Sequence, residues 1–462
     1  MPRIQYLATC LLIVLVLPCS AQFSTIFDFS GDTTGSYPYY CKLLEVDGQL
    51  YGTTANGGAF YDGTIFKINP DGSGFQKLID FNEETTGSIG ESALIYDGEF
   101  LYGTARSGGD FNMGTIYKIK PDGSEFSKLH DFIGSDDGIN PYGSLFFDGS
   151  FLYGMASGGG AGGHGTIYKL KRDGTDFSSI LAFDFGTSGN GPNGALISDG
   201  TYLYGMATSG GTGLYGTVFK IKPDGSDFSV LTSMSDDPNG AYNYGSLVYD
   251  GSYLYGMTNN GGELNRGTIF KISTDGTDYQ KLHDFDDTTG AQPLGSLTLV
   301  GSTLYGLAEL GGEFGKGTMF KLETDGSNFE KLYDFNGLNG ELPISTLTNY
   351  NGALFGMTNT GGSKSQGVIF KYGEFTSEVT QYEHGKIHMY PNPATEVIHI
   401  DPELLVYDKE LPVQIINTSG QCVLATAISG SGTISVKSLP SGIYQLIISA
   451  GGALYAETFV KQ

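Results

Sequence analysis

A segment of about fifty residues recurs along the chain, and the chain enters and leaves it partway through. Its core reads Leu-Tyr-Gly, a Gly-Gly pair, Gly-Thr-Ile-Phe-Lys, Asp-Gly, then Phe-x-Lys-Leu-x-Asp-Phe. The glycine of the first element falls at Gly52, Gly103, Gly154, Gly205, Gly256, Gly306 and Gly356, at spacings of 51, 51, 51, 51, 50 and 50. A fixed period of this length belongs to solenoids and β-propellers, because each unit must bury its apolar face on its neighbours.

Each period splits into four short apolar runs. In one unit they are Ser144–Asp148, Phe151–Met155, Gly165–Lys169 and Phe177–Phe183, here strands a, b, c and d. Runs of this length, rich in Ile, Phe, Tyr and Leu and bounded by Gly and Asp, read as strands. No stretch of the period has room for an amphipathic helix. Asp-Gly or Asn-Gly recurs between a and b (Asp47-Gly48 to Asn351-Gly352) and Asp-Gly between c and d (Asp71-Gly72 to Asp325-Gly326). Both residue types tolerate positive φ, so these pairs predict tight hairpins. Their carboxylates lack calcium-loop spacing and read as turn residues. The 72 glycines show no collagen triplet and read as turns between strands. Phe66, Tyr117, Tyr168, Phe219, Phe270, Phe320 and Phe370 form one column, expected to fill the space between sheets in a chain without Trp.

The split unit sets the count. Phe23–Phe29 matches strand d alone, and the last unit stops after strand c at Tyr372. One N-terminal d strand, six full periods and one unit lacking d predict seven blades closed by the first strand, with no long exposed edge. The expected fold is therefore all-β: a seven-bladed β-propeller of four-stranded blades, followed by a small β-sandwich.

Residues 1–21 read as a secretory signal: Arg3, the apolar run Leu7–Leu17, and the small-residue site Cys19-Ser20-Ala21. The run is too short to span a membrane. Lipid attachment through Cys19 is the alternative, with Pro18 placed awkwardly before it. Cleavage leaves Cys41 and Cys422, which make neither a disulfide framework nor a metal site. The formal net charge of −25 argues against nucleic acid, whose phosphates need a basic surface.

The repeat pattern, from Phe23 to about Tyr372, resembles the GloVer tandem repeats of secreted bacterial proteins, and more loosely the kelch blade. The last unit departs from it at Phe355 and Val368. That resemblance implies an architecture and no reaction. After a polar linker, 374–386, the segment 387–462 alternates like a sandwich of about seven strands. Tyr390-Pro391-Asn392-Pro393, Gly420, and the Leu-Pro-Ser-Gly-Ile-Tyr segment with Gly442 and Tyr444 are similar to the type A sorting domain of the type IX secretion system. The resemblance implies the type IX machinery as a partner, export across both membranes, and surface attachment or release of a secreted, extracellular monomer.

Uniform Asp-Gly turns occupy one face, while the varied b–c and d–a loops share the other, where recognition is expected. At the start of strand a lies the column Tyr40, Glu91, Tyr142, Asn193, Tyr244, Leu294 and Ile344. Its polar members, Tyr40, Glu91, Tyr142, Asn193 and Tyr244, fall on consecutive units and form the candidate ligand site. No motif for nucleophilic or metal catalysis occurs, and no cofactor is called for. The expectation is a noncatalytic module binding a glycan, peptide or partner protein. The alternative is a polysaccharide hydrolase or lyase on the same face.

Overall fold

The computed structural model describes residues 22–235, 239–373, 389–400, 411–417, 422–428, 432–437, 439–450 and 453–462. The signal segment, the linker and Gly420 lie outside these residues. The chain divides into two compact units, Met1–Glu374 and Phe375–Gln462.

Among the described residues the first unit holds seven four-stranded antiparallel sheets, one per period, and no helix. The first sheet runs Leu44–Val46, Gln49–Thr54, Thr64–Ile68 and Gln76–Asp80 in spatial order a-b-c-d. The last is composite. Thr348–Tyr350, Ala353–Thr358 and Val368–Gly373 supply a, b and c, and Gln22–Asp28 pairs antiparallel with Val368–Gly373 as its fourth strand.

Strand b is buried along nearly its whole length, as is strand c, so both faces of each sheet pack on neighbours. The aromatic column is completely buried. The glycines of Leu-Tyr-Gly lie within strand b, as the run Phe151–Met155 leads one to expect. They sit mid-strand, directly opposite that column: Gly52 pairs with Phe66, Gly154 with Tyr168, and Gly256 with Phe270. A Cβ at Gly256 would stand 2.5 Å from the Phe270 ring, and one at Gly52 would stand 2.6 Å from Phe66. The ring of strand c lies across the bare backbone of strand b, which is why the period requires glycine there.

Apolar clusters lie between consecutive sheets. One of them joins the first sheet to the composite one, with Leu43, Leu50 and Phe66 packed against Phe355, Met357 and Ile369. Thr348 Oγ1 donates to the Leu43 carbonyl at 2.5 Å, and Lys42 bridges Thr346 in parallel register.

Two expectations change in detail. Strand a is only two or three residues long, Phe146–Phe147 in place of Ser144–Asp148. Its first half leaves the ladder because it bonds sideways to the next sheet: the Ala93, Ala195, Ser246 and Ser296 amides donate to Ser144, Ser246, Ser296 and Thr346 hydroxyls at 2.7–3.0 Å. The a–b turns are tight with positive φ at Asp47 and Asn351, but Asp97, Asp148, Asp199 and Asp250 keep negative φ. Their carboxylates accept two backbone N–H groups and, from the buried tyrosine of strand b, a hydroxyl at 2.7–2.9 Å. The satisfied tyrosine sets the turn there, not the φ preference of aspartate.

In the second unit, Met389–Tyr390, Val397–Ile400 and Thr433–Ser435 form one sheet. Cys422–Ile428, Leu411–Asn417, Gly442–Ala450 and Ala453–Lys461 form the other. Ile398, Ile434, Ile415, Leu446 and Phe459 make a common core.

Candidate functional site

Strand d hands the chain to the next strand a through a loop with a repeated geometry. The same position in every loop takes positive φ: Tyr37, Ile89, Asn140, Gly191, Tyr242, Gln292 and Leu342. Its N–H donates to the preceding period, as Ile89 does to Asp62 at 2.9 Å, and its carbonyl accepts from the end of its own strand b, as from Arg106 at 3.1 Å. This kink turns the chain inward and presents the next column of side chains to a common space. The column expected from the sequence is thereby brought together: Tyr40, Glu91, Tyr142, Asn193, Tyr244 and Leu294 line two cavities at once. Ile344, in the equivalent position, is buried.

The inner cavity, 470 Å³, is walled by the successive strands a and is mostly apolar, with Leu44, Ile95, Ile197 and Val248. The outer, 790 Å³, opens among the b–c and d–a loops and takes its further lining from Tyr37, Tyr39, Arg106, Asn259, Glu309 and Asn359. Both volumes lie in the range of small-molecule sites, ~300–1,000 Å³.

The electrostatics centre on Glu91. It is only 5% exposed, and burial pushes its carboxyl up to about 7, against the opposing pull of Arg106. The Arg106 guanidinium stands 3.6 Å from Oε1 and stacks over the Tyr142 ring at 4.5 Å. Glu91 Oε2, Arg106 Nε and Asn359 Oδ1 are buried without hydrogen-bond partners, and all three residues line the outer cavity. Burial also raises Glu309 and Tyr244, lifts Tyr142 to about 12, and drives the Tyr40 hydroxyl far above its ordinary value. Tyr39 and Tyr40 meet edge to face at 4.5 Å. Asn193 is partly committed elsewhere, since its amide donates to Thr208 Oγ1 at 2.8 Å.

Tyr39, Arg106, Glu309 and Asn359 were not singled out from the sequence. The last three belong to a column three residues after the repeated glycine (Ala55, Arg106, Ser157, Thr208, Asn259, Glu309, Asn359), whose charged outliers were a readable signal. Tyr39 enters through one extra residue in the first d–a loop.

Other titratable groups have structural work. Asp80, Asp131, Asp284 and Asp334 each accept a b–c loop N–H and pair with a lysine three residues earlier. His130 and His283 stack at 3.7 Å on Phe177 and Phe329. Cys41 is buried, free and pushed up to about 12 by burial, with Thr53 Oγ1 at 2.9 Å.

In the second unit, Tyr390 is exposed with its ring near His399, while Asn392 Oδ1 accepts from the Val460 N–H at 3.0 Å. The bonds before Pro391 and Pro393 are cis, and just after them the Ala394 N–H donates to the Val460 carbonyl of the last strand at 2.8 Å. Tyr444 is buried and donates to the Pro440 carbonyl at 2.9 Å, with Gly442 beside its ring. These residues form the structural frame of the unit.

A family model for the Gloeobacter/Verrucomicrobia repeat matches residues 12–212, 147–309 and 192–401. The secretion system C-terminal sorting domain matches 388–462. No curated protein matches this chain. Among solved structures, it is similar to an extracellular domain assigned to a hybrid two-component system of B. thetaiotaomicron, with 14% identity and a TM-score of 0.51. That match covers 96% of this chain and 59% of that one. It is also similar to a puromycin-hydrolyzing peptidase of Mycobacterium tuberculosis, with 10% identity and a TM-score of 0.50, covering 92% and 60%. The chain spans less than two thirds of either structure, and at these identities the likeness concerns propeller-like fold alone. The sorting domain makes this a secreted or cell-surface protein.

Proposed function

The chain belongs to the Gloeobacter/Verrucomicrobia repeat family, and from that premise we propose a noncatalytic, closed seven-bladed propeller that binds a polar extracellular ligand at the mouth of its ring. The composite sheet and the apolar cluster joining it to the first sheet support closure. The domain partition follows: signal peptide 1–21, propeller 22–373, linker 374–386, and sorting domain 387–462.

The observation that carries the binding reading is the convergence of unpaired buried polar atoms on one open cavity. Glu91 Oε2, Arg106 Nε and Asn359 Oδ1 lack partners, and leaving such groups unpaired costs about 1–3 kcal/mol each. A glycan or peptide supplies hydroxyls or amides to pair with them, and Tyr40, Tyr142 and Tyr244 supply flat apolar faces beside them. The ligand-contacting residues are then Tyr40, Glu91, Tyr142, Asn193 and Tyr244, joined by Tyr39 and Arg106.

The test is the mature protein on glycan and peptide arrays, with calorimetry on each hit. Binding that leaves the ligand intact and weakens in Arg106→Gln and Tyr142→Ala supports the reading. Arrays with no Arg106-dependent hit defeat it. A second reading draws on Glu91 alone, because a carboxyl held near 7 has the character of a general acid. New reducing ends from a polysaccharide, absent with Glu91→Gln, would favour a hydrolase or lyase.

A further inference from the structure

Two residues along from the predicted column, each strand a carries a second inward position: Lys42, Ala93, Ser144, Ala195, Ser246, Ser296 and Thr346. Six of the seven are small. The serines and Thr346 turn their hydroxyls onto a neighbouring sheet's N–H, which closes the wall and leaves the space empty. Lys42 alone extends into that space. Its surface is open onto the cavity, yet the protein around it is dense enough that burial pulls its ammonium below the ordinary value.

The amine has no hydrogen bond or ion pair among the described residues. Glu45, which shares the cavity, is engaged by the Gly48 N–H at 2.7 Å, and Glu91 faces Arg106. Lys42 is exposed to the cavity with no counter-charge beside it, at a position where the six equivalent residues carry small side chains. Leu44, Ile95, Ile197 and Val248 give the wall an aliphatic stretch beside the tyrosines, Glu91 and Asn193 of the predicted column.

We propose that the inner cavity binds a small organic anion, its carboxylate paired with Lys42 and its apolar body lying on the aliphatic wall. This rests on the reading of the repeat region as a binding ring, and it names the chemistry of the ring's deeper chamber.

The test uses the full mature chain and three probes at fixed ionic strength: hexanoate, its neutral isostere hexanamide, and inorganic phosphate, followed by calorimetry. The expected result is one hexanoate per chain, bound at least about tenfold more tightly than hexanamide. Lys42→Met should lose about tenfold or more in hexanoate affinity, while Lys42→Arg retains it. Lys42→Gln serves as the second variant.

Equal binding of hexanoate and hexanamide would overturn the proposal, as would hexanoate binding indifferent to Lys42. So would the absence of hexanoate binding to the parent. Phosphate binding as tightly as hexanoate would refute the apolar body. Arrays without hits at the mouth, alongside Lys42-dependent hexanoate binding, would sink the mouth reading and leave this one standing.

Discussion

Replacing Glu91 by Gln tests the electrostatics of the mouth directly, because Gln keeps the shape of a neutral carboxylic acid. Burial raises the folded carboxyl from 4.5 to about 7. A carboxyl raised in the folded state stabilises the fold fully below its unfolded pKa and loses that contribution as pH rises through the folded value. Between pH 5 and pH 8 the parent should therefore lose about 2–3 kcal/mol that the Gln variant does not lose, at ~1.36 kcal/mol per pK unit. A repeat region of about 350 residues has an unfolding entropy near 0.7 kcal/mol/K, so this converts to roughly 3–4 °C. The assay is the melting temperature of parent and Glu91→Gln across that range, read as the difference between the two. The other acidic residues, all of the 50 but Glu91, are common to both proteins and cancel. The variant should match the parent near pH 5 and exceed it near pH 8. Parallel curves would show that Glu91 is ionised in the fold at neutral pH, and the argument from its burial would be wrong.

Three further outcomes follow from the packing. Gly256→Ala places a Cβ 2.5 Å from the Phe270 ring and should cost about 1–3 kcal/mol in urea or thermal unfolding; a neutral result would mean the ring does not lie across that backbone. Tyr168→Phe removes a buried hydroxyl without a partner, and should raise stability by about 1 kcal/mol; a loss would reveal a hidden bond. Deleting Phe23–Phe29 strips the fourth strand from the composite sheet and removes Phe23, Ile26 and Phe29 from the flanking clusters. The melting temperature should fall sharply, and an unchanged transition would refute closure through this strand.

The sheets were legible because a period of short apolar runs admits one secondary structure, and Phe23–Phe29 could only be the missing fourth strand. The glycine of Leu-Tyr-Gly was legible as a strand residue but its reason was not; only the register places Gly52 opposite Phe66. The mouth was half legible. Tyr40 and Glu91 stood out in one column, but Arg106 comes from another strand, and its contact with Glu91 depends on how far the loop kink turns the chain inward. Lys42 was visible as a letter and not as a problem, since its lack of partners is a property of six small neighbours.

The internal repeat also supplies its own control for function. At each inward position seven residues occupy corresponding places, so the usual choice can be read from the others: serine, alanine or threonine in the column of Lys42, and tyrosine, leucine, isoleucine or asparagine in that of Glu91. Against that control, Lys42, Glu91 and Arg106 stand out as charged members, and Glu91 and Arg106 each carry an unpaired buried polar atom. Departures at turn positions, such as Asn351 for Asp, carry no such cost. A scaffold able to fill these sites cheaply, and not doing so, concentrates its instability around two joined chambers, where strain of this kind marks a binding site more reliably than any single residue type.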